Sequence, residues 1–119
     1  MAYFPSGSQA RERAQGNNTL AQQIAIMEIA VLDAIANGAF AATISDTSTI
    51  TIQGTTITGS PMTDNDTDGL NYYKAYQGTI TDAVKTEQMN EVIAHFENKG
   101  YTIARKSSSG TYFYWYITW

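Results

Sequence analysis

The sequence predicts an α+β fold: two helices packed on an antiparallel sheet of short strands and hairpins, preceded by an extended N-terminal arm. Three observations carry that expectation. Two helical patterns, at 19–36 and from Thr81 to Lys99, are bounded by capping residues and glycine stops. Between and after them lie short runs of Ile, Thr and aromatic residues, joined by connections too brief for a parallel crossover. The last nine residues, 111–119 (TYFYWYITW), then place six aromatic rings in one strand.

Residues 1–18 (MAYFPSGSQARERAQGNN) combine Pro5, Gly7 and Gly16 with polar side chains, the composition of an extended arm. Tyr3, Phe4 and Pro5 are its apolar anchors, and an aromatic tip of this kind is expected either to reach for a neighbour or to fold back on its own domain. A single domain is expected over 19–119. Thr19 and Gln22 match a capping box, and Asn37-Gly38 supplies a left-handed stop, so the first helix is expected between them. Leu20, Ile24, Met27, Val31 and Ile35 form its stripe, while Ile26, Ile29 and Leu32 widen the apolar surface until only Gln22, Gln23, Glu28 and Asp33 are clearly polar. Such a helix is either central to the domain or shared with a partner.

Phe40, Ala42 and Ile44 alternate as a strand. Residues 49–52 (TITI) and 55–58 (TTIT) flank Gln53-Gly54, a two-residue spacing that predicts a hairpin with Ile50 opposite Ile57. Gln53 tolerates a positive φ poorly, so the turn type stays open. Residues 59–71 (GSPMTDNDTDGLN) read as a polar loop, and 72–78 as a short extended piece. Thr81 is the expected N-cap of the second helix, with Asp82 complementing the dipole, Lys99-Gly100 closing it, and Met89, Val92, Ile93 and Phe96 as the buried stripe.

Residues 101–105 then lead through a four-residue loop, 107–110 (SSSG), into the aromatic strand. Tyr112, Tyr114 and Tyr116 line one face of that strand; Phe113, Trp115, Ile117 and Trp119 line the other. A half-solvated strand would alternate apolar with polar, so both faces are expected to be covered. With this loop, Tyr101, Ile103 and Arg105 share the tyrosine face, and Thr102, Ala104 and Lys106 the other. The second helix is then expected over Phe113, Trp115 and Ile117, leaving the tyrosines to the first helix or a neighbour.

A chain of 119 residues makes one domain with a modest core. Seven basic and eleven acidic residues leave a net charge of -4, against phosphate-backbone binding as the main task. No cysteine is present, which excludes disulfides, thiolate metal sites and a cysteine nucleophile. The apolar stretch from Ile24 to Ala36 is short for a bilayer and is interrupted by Glu28 and Asp33, and Met1 to Pro5 lack the pattern of a secretion signal. No membrane partner is expected, and synthesis in a cytoplasm is. Charged residues are 15% of the chain, below the usual ~25%, as suits a surface packed against others.

Asp64, Asp66 and Asp68, followed by Gly69, resemble the first half of an EF-hand loop. Ala75 stands where a bidentate glutamate belongs, so these three are weak metal candidates beside the alternative of a solvated turn. His95 is the only histidine, and with no cysteine or second histidine it builds neither a zinc site nor a triad. Ser107, Ser108 and Ser109 lack a nearby base, and Glu87 with Glu91 is ordinary helix solvation. No phosphate-cradling glycine pattern exists. Base stacking on the aromatic strand would need Arg105 and Lys106 beside the rings. Neither an enzyme nor a cofactor is expected.

The C-terminal half resembles a group of small structural proteins of tailed bacteriophages, especially those of cyanobacteria. The similarity covers roughly residues 71–119: Tyr72-Tyr73, Tyr76-Gln77-Gly78-Thr79, Thr81-Asp82-Ala83, Gln88-Met89-Asn90, Val92-Ile93, Phe96, Gly100 to Arg105 and Trp115 to Trp119. Upstream, Ala34 to Gly38 is similar to the helix end in the same group. The resemblance implies a virion structural protein with no catalytic residues to map, whose partners are a major capsid protein or neck and tail proteins and which is a homo-oligomer in the particle. The expected role is capsid decoration (cement), with a neck or tail adaptor, or a soluble non-virion binding module, as alternatives. Tyr3, Phe4, Tyr112, Tyr114, Tyr116 and Trp119 are the expected interface residues, because affinity concentrates in a few aromatic anchors.

Overall fold

A computed structural model describes residues 7–64, 67–107 and 112–119. The elements are α1 (Gly7–Ala36), β1 (Ala41–Ile44), β2 (Thr49–Ile52), β3 (Thr55–Thr58), α2 (Thr67–Gln77), α3 (Ala83–Glu97), β4 (Thr102–Ser107) and β5 (Phe113–Thr118). The fold is α+β with antiparallel pairing throughout, but it has three helices where two were expected.

The first helix does not begin at Thr19. It runs back to Gly7, so Thr19 lies inside α1 and most of the expected arm is helical. Ala10, Arg11, Glu12, Arg13, Ala14 and Gln15 are strong helix formers, and their summed propensity outweighs Gly16 and the two asparagines. The C-terminal stop is where the sequence places it. Gly38 has φ +78°, its N–H donates to the Ile35 carbonyl at 3.0 Å, and Ala39 N–H reaches the Ala34 carbonyl at 2.9 Å. Starting from Thr19, this helix offers 18 residues of mean hydropathy 1.4, enough by length and composition to cross a membrane, which the shorter count from Ile24 understated. Its Leu20, Ile24, Met27 and Val31 are committed to the domain core.

Two polar residues of α1 lie inside with them. Gln23 is buried and its Oε1 accepts the Met62 N–H at 3.1 Å, fastening the 60–64 turn to the helix. Glu28 is also buried, with His95 Nε2 of α3 3.3 Å from its Oε1. The apparent excess of apolar surface on α1 therefore has a simple origin: part of the polar quota points inward.

Residues 67–77 form a helix rather than a loop and an extended piece. Tyr72 and Tyr76 are four apart and Tyr73 and Tyr76 three apart, a helical spacing, and Gly78 with φ +79° stops it. The N-cap of α3 is Asp82, not Thr81: its Oδ1 accepts the Lys85 N–H at 3.0 Å, and that bond holds its carboxyl below the usual carboxylate range. Met89, Val92 and Phe96 are buried as the stripe requires, with Ile93 partly buried against them.

The main sheet has the order β1-β5-β4, so the last strand of the chain is the central one. β4 pairs with β5 from Thr102↔Thr118 to Ser107↔Phe113, with Arg105 opposite Trp115. Five residues, 108–112, separate the strands instead of four, and the register differs from the expected one by an odd number, which exchanges the faces of β4. Ile103, Arg105 and Ser107 share the side of Trp115, while Thr102, Ala104 and Lys106 share the side of the tyrosines. β2 and β3 form a separate hairpin with Ile50 opposite Ile57 as expected; Gln53 (φ 50°) and Gly54 (φ 81°) are both left-handed, a type I′ turn.

Candidate interface

Phe113, Trp115 and Ile117 on β5 are fully buried, joined by Ile103 of β4 and Ile44 of β1. Residues of all three helices meet this side in one cluster: Leu20, Ile24, Met27 and Val31 from α1, Tyr72 and Tyr73 from α2, Met89, Val92 and Phe96 from α3. The first helix is thus on the Trp115 side, together with α3, and not over the tyrosines. Rings continue the packing to both ends of the strand. Phe113 meets Trp115 edge-on at 5.2 Å and Tyr76 at 5.3 Å, and Trp119 meets Tyr101 edge-on at 5.9 Å.

The opposite face consists of Ala41, Thr43, Thr102, Ala104, Lys106, Tyr114, Tyr116 and Thr118, each partly or fully exposed. Tyr116 stands at its centre between Thr43 and Ala104, and Tyr114 lies opposite Lys106. Lys106 extends over Tyr116, its Nζ 4.3 Å from the ring centroid, and is the single charged residue among these eight. The face is shallow, aromatic and rich in hydroxyls. Its alternation with a fully buried face satisfies the half-solvated pattern of an antiparallel sheet, with tyrosine in the place of small polar residues.

The expected interface residues therefore divide. Tyr114 and Tyr116 share the open face, and Tyr112 is half-buried just before β5. Trp119 belongs to the other side, against Tyr101, with its N–H donating to the Phe40 carbonyl at 3.1 Å. Tyr3 and Phe4 lie outside the described residues. Thr43, Ala104 and Lys106 complete the face and escaped sequence reasoning, because only the β1–β5 and β4–β5 registers assign them to it. Phe40, expected within the first strand, lies just before β1 and is 75% exposed.

Arg105 is turned away from the tyrosine face. Its guanidinium lies 4.9 Å from the Tyr76 ring centroid and one NH1 is 3.5 Å from Met89 Sδ; burial pulls its pKa below the ordinary guanidinium value. Among the described residues, only Lys106 accompanies the tyrosines, a single cation where a base-stacking groove is lined with positive charge. Asp64 and Asp68 border one groove beneath the hairpin, and Asp66 lies outside the described residues. Among the described residues, no three acidic, histidine or cysteine side chains gather as metal ligands do. Ser107 Oγ is 3.4 Å from the Tyr73 hydroxyl, and His95 is engaged with Glu28. No protein-family model, curated protein or solved structure matches the chain.

Proposed function

We propose that this protein is a structural subunit of a tailed-phage particle that attaches to a neighbouring shell protein through the tyrosine face of its sheet, acting as capsid decoration. The observation that supports this reading is the asymmetry of β5: one face is fully buried in the core, and the other presents Tyr114 and Tyr116 beside Thr43, Ala104 and Lys106. Tyrosine buries a large rigid area at low entropic cost while its hydroxyl meets a polar rim, which suits a reversible surface. The similarity of residues 71–119 to phage structural proteins supplies the particle.

Cosedimentation of the purified protein with empty phage shells tests the proposal. Binding at the copy number of the shell lattice is expected, and Tyr114→Ser and Tyr116→Ser should each weaken it by about 30-fold, equivalent to roughly 2 kcal/mol for a central anchor. Binding as a single ring at the tail axis would move the protein to a neck or tail adaptor. Variants that bind shells as the parent does would remove the tyrosine face from the interface, and indifference to shells would leave a soluble binding module.

A further inference from the structure

The β2–β3 hairpin is a second, separate surface. From Thr47 to Thr63 the chain carries no charged residue. The inner side of the hairpin holds Ile50 and Ile57, only half-buried, and the outer side holds Thr49, Thr51, Thr56 and Thr58, all exposed. α1 meets the hairpin through β2, while β3 stands further out above a groove of about 260 Å³ lined in part by Thr19, Gln22, Ile26 and Ile57. Two strands with a half-covered apolar side are marginal on their own.

The edges of the two sheets are treated differently. β4, the longest free edge of the main sheet, carries Arg105 and Lys106, and β2 has the Asp33 carboxylate bordering the groove at its side. Charges of this kind discourage strand addition. β3 carries no charge, proline or bulge of its own, and the nearest carboxylates, Asp64 and Asp68, border the groove beneath it rather than its outer edge. The turn fixes which of its peptide groups point outward: Ile52↔Thr55 and Ile50↔Ile57 exchange hydrogen bonds across the hairpin, and Gly59 N–H continues the ladder to the Ser48 carbonyl at 2.7 Å. The peptide groups of Thr56 and Thr58 therefore face away from β2, and no hydrogen bond within the described residues uses them.

We infer that β3 pairs antiparallel with β3 of a second copy of this chain, about a two-fold axis at Ile57. In that register Thr56 lies opposite Thr58 of the second copy, and vice versa, each pair exchanging two backbone hydrogen bonds. Ile57 lies opposite its own counterpart in a non-hydrogen-bonded position, where Cα atoms approach to about 4.5 Å. The two hairpins become one four-stranded sheet with a continuous row Ile50, Ile57, Ile57, Ile50 on the inner side. A second copy is the occupant that fits: a threonine-isoleucine strand without charge is self-complementary, and a two-fold closes without propagating. The inference is independent of the tyrosine face, which points from the other sheet.

Sedimentation velocity and cysteine cross-linking test it, the latter made simple by a chain without cysteine. The parent protein is expected to sediment as a dimer that dissociates on dilution. Thr56→Lys should yield monomer with an unchanged circular dichroism spectrum. Ile57→Cys should form an intermolecular disulfide on mild oxidation, since a 4.5 Å Cα separation lies within disulfide range, and Thr49→Cys, on the other edge, should not. A parent that is monomeric at the highest soluble concentration, a dimer indifferent to Thr56→Lys, or equal cross-linking of the two cysteine variants overturns the inference. Loss of shell binding in the Tyr114 and Tyr116 variants would leave it untouched.

Discussion

Gly69 has no room for a side chain. A Cβ there would fall 1.7 Å from the Asp64 carbonyl oxygen, a backbone atom that cannot step aside. In the sequence this glycine belongs to half a calcium loop; the close approach of the Asp64 backbone explains it without a cation. Gly69→Ala should therefore cost more than ~2 kcal/mol, visible as a lower denaturant midpoint at unchanged slope. The buried Glu28–His95 pair makes a different claim. Its two members sit on different helices with no spacing in the sequence to join them, so the sequence presented Glu28 only as a polar position of the first helix and His95 only as a lone histidine. Removing either leaves a polar group in the core, and Glu28→Leu or His95→Leu alone should destabilise by ~3 kcal/mol. The double variant should recover at least ~1 kcal/mol of the summed loss in urea titrations; simple additivity would show that the pair does not couple.

The least legible element was α2. Thr67, Asp68 and Gly69 look like a turn, yet Asp68 suits a helix N-terminus and the three tyrosines that follow repeat at helical intervals. Only packing against α3 and β5 decides between the two. Tyr72 is central to that packing. Its hydroxyl donates to Gln88 Oε1, Lys85 Nζ lies 5.2 Å from its ring centroid, and burial, with Asp68 and Asp82 adding repulsion, pushes its pKa up to about 12. The folded state thus holds this proton more tightly than the unfolded chain, whose phenol titrates near its model value of 10.0. Between those two values the folded state binds more protons, so stability must fall as pH rises through the interval. Thermal unfolding from pH 9 to 12 is expected to show that decline, reduced in Tyr72→Phe; an equal decline in both would place the alkaline sensitivity elsewhere.

At the scale of the molecule, strand identities were legible and strand partners were not. Alternation in residues 113–118 and the Ile50–Ile57 pairing follow from a period of two and a two-residue turn, both local. The β1–β5 pairing, by contrast, joins Ile44 to Trp115 across more than half the chain, and one residue of loop length reversed the faces of β4. The open tyrosine face was visible as a pattern, but its neighbours Thr43 and Lys106 were not. This division also predicts where the molecule opens first. β5 is bonded on both sides and carries Phe113, Trp115 and Ile117 at the centre of the core, whereas β2 and β3 share one short ladder and a half-exposed isoleucine pair. Native-state amide exchange should therefore be slowest in β5, approaching the global unfolding free energy, and much faster in the hairpin. The inner amides of Ile50 and Ile57 should exchange at least tenfold faster than those of Trp115 and Ile117 in dilute protein, a difference of about 1.4 kcal/mol. Uniform protection across both sheets would mean that the hairpin opens only with the whole domain, and the two-sheet description of its stability would fail.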